Sequence, residues 1–149
     1  FLACFEVNVM GAYRCAVAAL PHLKAYGRGS IVIFSSAAGT RVNALMGAYC
    51  TSKSALGGLV GVMAAEWSAQ GVRVNAIAPA QVESAMIAEQ VGEERRRRED
   101  RLPIGRYAKP EEMAAVALFL AGPEASFITG TTLFADGGYT SFGFRPSVI

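Results

Sequence analysis

Charge is scarce in this chain of 149 residues: 17% are Asp, Glu, Lys or Arg, and the formal net charge is +2. So small a balance implies no nucleic-acid partner, and a hydrophobic fraction of 52% excludes a disordered chain. Cysteine is sparse too. Cys4, Cys15 and Cys50 are odd in number and lack C-x-x-C spacing, so neither a disulfide framework nor a metal site is indicated, and a reducing, cytoplasmic setting fits. The single histidine, His22, has no companion ligand at a sensible place and takes no role. No uninterrupted apolar stretch reaches the ~18 residues of a membrane span, so no membrane is expected as a partner, and no signal peptide precedes the first element. The chain opens on Phe1 and not on Met, as expected of a fragment. The one dense basic run, Arg95 to Arg98, is flanked by Glu93, Glu94, Glu99 and Asp100 and reads as a solvated helical face.

What the sequence does contain is an alternation of apolar patterns. From Asn8 to about Tyr26, Val9, Ala12, Tyr13, Ala16, Val17, Leu20 and Leu23 recur at helical spacing, with Gly27 as the stop. Residues 30 to 35 read as a buried strand. The stretch from Ala48 to Gln70 is a long helix ended by Gly71, Val72 to Ala78 is the next strand, and Pro79 breaks it. Residues 84 to 101 are polar and predicted helical, and the segment 83 to 104 is expected to be a mobile lid that shapes the pocket. Pro110 stands in the first turn of a helix with Met113 to Ala121 as its apolar face, and Thr132 to Ala135 is a last short strand. Strands alternating with helices predict an α/β fold: one domain over 1–149, with about three parallel strands, flanking helices and right-handed crossovers.

Within that frame one helical turn carries chemistry. Tyr49 and Lys53 are four residues apart, so they share a helix face. A phenol ordinarily titrates near about 10, and an ammonium within a few Å favours the phenolate, so such a pair can exchange a proton nearer neutrality. Ser36 follows the run Ile31 to Phe34 and so stands at a strand's C-terminal end, where open parallel sheets form their ligand crevice. Ser35 is its neighbour and rival. A serine hydrolase is disfavoured, because there is no G-x-S-x-G and no S-x-x-K placing a lysine beside Ser36.

The ordered set Val7-Asn8-Val9, Gly29-Ser30-Ile31-Val32 leading to Ser36, Tyr49-x-x-x-Lys53, Val72 to Pro79, Arg106-x-x-x-Pro110-Glu111-Glu112, and Ile128-Thr129-Gly130 followed by Asp136-Gly137-Gly138 covers nearly the whole chain. Each motif alone is weak; their order and spacing together are specific. In them the chain resembles the C-terminal catalytic portion of a classical short-chain dehydrogenase/reductase, similar to the β-ketoacyl-carrier-protein reductase branch. The resemblance implies an incomplete doubly wound, Rossmann-like sheet and an NAD(P)-dependent oxidoreductase interconverting a small-molecule alcohol and ketone. Tyr49 would be the general acid or base, Ser36 would hydrogen-bond the substrate oxygen, and Lys53 would act on Tyr49 and hold the nicotinamide ribose. Asn8 would end a proton relay through a water bound to its backbone, although an Asn there also suits a helix N-cap. The family's spacing selects Ser36 over Ser35. Tyr49, Lys53, Pro79, Ala80, Val82 and Ser84 would contact NAD or NADP, Val82 through its backbone amide and Ser84 through its hydroxyl. The helices 9–23 and 54–65 would form a four-helix contact in a homodimer or homotetramer of the full-length protein.

Two departures stand out. The family usually has Gly after Pro79 and Thr at Ser84, where this chain has Ala80 and Ser. More important, no strand leads into a Gly-rich phosphate turn: Gly57-Gly58-Leu59-Val60-Gly61 lies inside a helical pattern and follows no strand. Residues 1–149 are therefore expected to be a single partial domain lacking the Gly-rich dinucleotide-binding half, with an unpaired sheet edge, and silent or marginally folded in isolation. The alternative of a different class is a non-catalytic fragment acting as an interaction or dimerisation module.

Overall fold

The computed structural model describes residues 1–89 and 91–141. Its first element, α1, spans Leu2–Tyr26, whereas the apolar spacing predicts a start at Asn8. A π-helical turn at Glu6–Met10 accounts for the difference: the Gly11 amide bonds back to the Glu6 carbonyl, one residue further than an α-helix allows. The 3.6-residue phase breaks there, so the periodicity is legible only downstream. At 25 residues, with mean hydropathy 1.2, α1 is long and apolar enough to cross a membrane. In this fold its inner face, through Val9, Ala12, Ala16, Leu20 and Leu23, packs on the core beside the sheet.

The sheet consists of β1 (Gly29–Phe34), β2 (Val72–Pro79) and β3 (Thr132–Ala135), parallel and in that order. Register runs from Gly29 opposite Val72 to Phe34 opposite Ile77, and from Ala76 opposite Thr132 to Pro79 opposite Ala135. Pro79 closes β2 as its last residue, a position where the missing N–H costs the ladder little. Gly71, which immediately precedes this strand, needs to be glycine: its φ is +77, and a Cβ there would sit 2.7 Å from the Gly27 carbonyl oxygen.

The central strand β2 is buried on both faces, its two polar residues, Arg73 and Asn75, being taken up by backbone partners. Val72, Val74 and Ala76 point to one face, onto α2 (Gly47–Trp67), whose stripe Leu56, Val60, Met63, Ala64 and Trp67 fills the main core. Ile77 points to the other, where Leu120 and Ala125 join it. That face is covered by α4 (Pro110–Ala121), which comes after α3 (Gly92–Glu99) in the chain. Arg73 shares Ile77's face and donates to the carbonyls of Leu120 at 2.9 Å and Gly122 at 3.0 Å, capping the C-terminal end of α4. Among the described strands β1 has no partner on its far side, so the predicted open edge is present.

Residues 84–101 do not form one helix. A 3₁₀ turn at Ala85–Ile87 comes first, and α3 begins at Gly92, whose φ of +62 interrupts any continuous helix. The basic run does form the solvated face predicted for it, with Arg97 and Arg98 paired to Glu93 and Glu94 one turn earlier. Arg95 ties the segment down, bonding Glu83 and Glu99 at 2.9 and 2.8 Å and lying over the ring of buried Tyr107.

Candidate active site

The site is built on the turn that leaves β1 and on the first two turns of α2. Lys53 bridges them: its Nζ donates a 2.8 Å hydrogen bond to the carbonyl of Phe34, the last residue of β1. The same ammonium lies 5.9 Å from the centroid of the Tyr49 ring, one helical turn back. Burial holds the Lys53 pKa below its ordinary 10.5, an effect that the nearby Cys4 sulfur partly opposes.

The two serines after Phe34 have different surroundings. Ser35 is buried and its hydroxyl donates to the backbone carbonyl of Lys53 at 2.9 Å. Ser36 is part-exposed and extended, and its Oγ accepts the Ala38 amide at 3.2 Å, capping the 3₁₀ turn Ala37–Gly39. Its proton has no acceptor among the described residues. The turn then presses onto α2, where Ser54 donates its hydroxyl to the Gly39 carbonyl. An added Cβ on Gly39 would lie 2.8 Å from the carbonyl carbon of Lys53. The strand end carrying Ser36 is thus fastened at three points to the helix carrying Tyr49 and Lys53.

Asn8 is not a helix cap. It sits inside the π turn, and its Nδ2 donates to Ser52 Oγ at 2.9 Å and to Cys4 Sγ at 3.4 Å. Ser52 is fully buried and donates to the Tyr49 carbonyl at 2.8 Å. No reading of the motifs singles out Ser52, yet the signal is there: it extends the buried stripe of Leu56, Val60, Met63 and Trp67 by one more turn, as the one hydroxyl in it.

The residues expected at the cofactor are less gathered. Lys53 and Asn8 line a cleft of about 530 Å³ along the open edge of β1. Ala80 lines another of about 310 Å³, beside Asp136 to Gly138, and Ser84 a third of about 550 Å³ against Arg95 and Lys109. Pro79 ends β2, one strand over from Phe34. Val82 forms a lone parallel bridge with Ala108 in which the flanking residues make the hydrogen bonds: Ala108 donates to Gln81 at 2.9 Å and Glu83 donates to Ala108 at 2.9 Å. The amide of Val82 is thereby turned away from the bridge. The Ser84 hydroxyl caps nothing.

Asn75 and Asp136 do structural work. Asn75 is fully buried and bonds the Ile128 carbonyl and the Thr131 amide, while Asp136 accepts from the Gly138 and Thr140 amides to close the turn after β3. A Cβ added at Gly58 or Gly61 would meet nothing within 4 Å, so these glycines serve no close helix packing among the described residues.

Comparison with known proteins bears on the family and the fold. Residues 1–140 match the family described as enoyl-(acyl carrier protein) reductase. A tropinone reductase homolog of Arabidopsis thaliana is 41% identical over 142 residues, 93% of this chain and 53% of that protein. Galactitol 2-dehydrogenase (L-tagatose-forming) of Cereibacter sphaeroides is 43% identical over 142 residues, 90% of this chain and 54% of that protein. Among solved structures, a gluconate 5-dehydrogenase from Burkholderia cenocepacia in complex with NADP and tartrate superposes with a TM-score of 0.86 at 30% identity, covering 92% of this chain and 55% of that one. A short-chain type dehydrogenase/reductase from Mycobacterium ulcerans gives 0.85 at 32%, covering 95% and 51%. The chain spans a little over half the length of the curated relatives it matches. With its motifs, its parallel sheet and its relatives in agreement, the chain belongs to the short-chain dehydrogenase/reductase family.

Proposed function

We propose that residues 1–149 are the catalytic and substrate-binding portion of an NAD(P)-dependent oxidoreductase that interconverts an alcohol and a ketone, a single partial domain whose Gly-rich phosphate turn is supplied by polypeptide outside it. The observation that carries this reading is the attachment of Lys53 to the end of β1 beside Tyr49, two residues before a Ser36 hydroxyl whose proton has no acceptor among the described residues. Tyr49 transfers a proton to or from the substrate oxygen, Ser36 donates to the same oxygen as its charge develops, and Lys53 holds its ammonium beside the Tyr49 ring. Asn8 anchors the turn that holds them.

A nicotinamide dinucleotide supplies the hydride when bound. The residues present suit its nicotinamide end: among the described residues the Val82 amide and the Ser84 hydroxyl donate to no partner, and Lys53 offers ammonium protons to ribose hydroxyls. Pro79 and Ala80 shape the backbone between them. NADP is held by the Burkholderia cenocepacia gluconate 5-dehydrogenase, which supports either NAD or NADP here. The protein is further proposed to be a cytoplasmic homodimer or homotetramer without membrane or nucleic-acid partners, pairing through the outer faces of α1 and α2, where Tyr13, Val17 and Val62 are exposed.

In the full polypeptide carrying this chain, Tyr49→Phe should abolish turnover, a loss of about 10³-fold or more, while cofactor affinity stays within a few-fold. Retained turnover overturns the proposal. Failure of the unmutated protein to bind a nicotinamide dinucleotide favours the non-catalytic interaction module instead.

A further inference from the structure

The chain Asn8–Ser52–Tyr49 links two helices through polar atoms at the very turn that carries the proposed acid. Its donors and acceptors can be assigned one by one. A serine hydroxyl has one proton, and that of Ser52 goes to the Tyr49 carbonyl at 2.8 Å. Its lone pairs accept from Asn8 Nδ2 at 2.9 Å and face Cys4 Sγ at 3.5 Å, so in that last contact only the thiol can donate. The thiol sulfur in turn accepts from Asn8. Among the described residues no buried side-chain nitrogen or oxygen lacks a partner, and the centre of the cluster, Ser52, is fully buried.

An alanine at position 52 would fit the stripe of Leu56, Val60 and Met63 and is the best helix former, so neither packing nor propensity calls for serine there. What serine adds is direction. Back-bonding to the carbonyl three residues earlier shares that carbonyl between the hydroxyl and the helix ladder, which bends or tilts the turn involved. That turn is Tyr49 to Lys53. The grip from the other side comes from the π turn, whose extra residue per turn reshapes α1 where Asn8 meets Ser52.

We infer that Ser52 is a positioning residue, and that Asn8 acts through its side chain on Ser52 to set the tilt of the Tyr49–Lys53 turn toward the substrate oxygen. This rests on the catalytic reading of Tyr49 given above. It differs from a role for Asn8 through a backbone-bound water, because such a role would survive loss of the Asn8 amide.

The test is a double-mutant cycle in the full polypeptide, using Asn8→Ala, Ser52→Ala and the pair, with Asn8→Leu as a second variant that keeps the volume without the donor. Each single change should lower kcat about tenfold and displace the pH midpoint of kcat, with KM and cofactor affinity within about threefold; the double should be no worse than the worse single. Amide exchange at residues 50 to 53 should accelerate to the same extent in both singles and the double. Additive effects, an unmoved pH midpoint, or unchanged amide exchange would each overturn the inference. Because exchange is read without turnover, a Tyr49→Phe protein that stays active defeats the catalytic reading and leaves the Asn8–Ser52 coupling to be judged on exchange alone.

Discussion

The hydroxyl of Ser35 donates to the backbone carbonyl of Lys53 at 2.9 Å, whereas that of its neighbour Ser36 receives the Ala38 amide and donates to none of the described residues. Two adjacent serines thus divide the work between fastening and chemistry. Ser35→Ala should cost about 1 kcal/mol of stability, the typical net value of one hydrogen bond, and leave kcat within a few-fold. Ser36→Ala should lower kcat by about 10²- to 10³-fold, the scale for losing one donor to a developing oxyanion, with a small change in melting temperature from the lost cap. Steady-state kinetics paired with thermal melts distinguish the two. The reverse assignment, with Ser35 the costly loss in kcat, would transfer the chemical role to Ser35.

Gly39 is held closer to α2 than any side chain permits. A Cβ would meet the Lys53 carbonyl carbon at 2.8 Å, its oxygen at 2.9 Å and the Ser54 nitrogen at 3.0 Å, all of them backbone atoms that cannot swing aside. Gly39→Ala should therefore force the Ser36 turn off the helix, costing about 1 to 3 kcal/mol as overpacking does, and lower kcat at least about tenfold because the misplacement falls at the site. Gly58→Ala is the matched control. It meets nothing within 4 Å in a helix interior, so alanine there should stabilise by about 0.5 to 1 kcal/mol. Equal melting temperatures for the two variants would refute the close-approach account.

Much of this was legible in the sequence because long periodic segments state their own phase. The α2 helix, the strand β2 and the short β3 follow from apolar spacing, and Gly27 and Gly71 mark helix ends where the chain turns left-handed. The legible part of the site is the part confined to one helix, since a spacing of four fixes Tyr49 and Lys53 on one face. What escaped depends on contacts between elements. The π turn at Glu6–Met10 leaves no trace in composition, so neither the start of α1 nor the side-chain bond from Asn8 to Ser52 was readable. Arg73 looks like a polar interruption in a strand and only in three dimensions becomes the cap of α4. The scatter of Lys53, Ala80 and Ser84 over three clefts likewise reflects loop paths beyond the strand ends, which no periodicity encodes.

Arg106 grips Glu112 with both arms, Nη1 to Oε2 at 2.7 Å and Nη2 to Oε1 at 2.8 Å, and the Glu112 carboxylate also accepts the Lys109 amide at 2.8 Å. The guanidinium first, and the backbone amide second, hold the Glu112 pKa down from its ordinary 4.5 to about 2. Between those values the unfolded chain binds the proton that the folded chain refuses. The contribution to stability is thus fully present above about 4.5 and is lost as pH falls toward about 2. Both side chains are nearly half exposed, so the effect is modest and shrinks with added salt. Glu112→Gln should lower the melting temperature by an amount that is constant from neutral pH down to about 5 and then narrows steadily toward pH 2, since protonated Glu112 and glutamine are near-equivalents. Melts of both proteins across that range, at low and high salt, give the comparison. A gap that stays the same width at pH 2 as at pH 7 would mean that the pair adds nothing beyond the cap on Lys109.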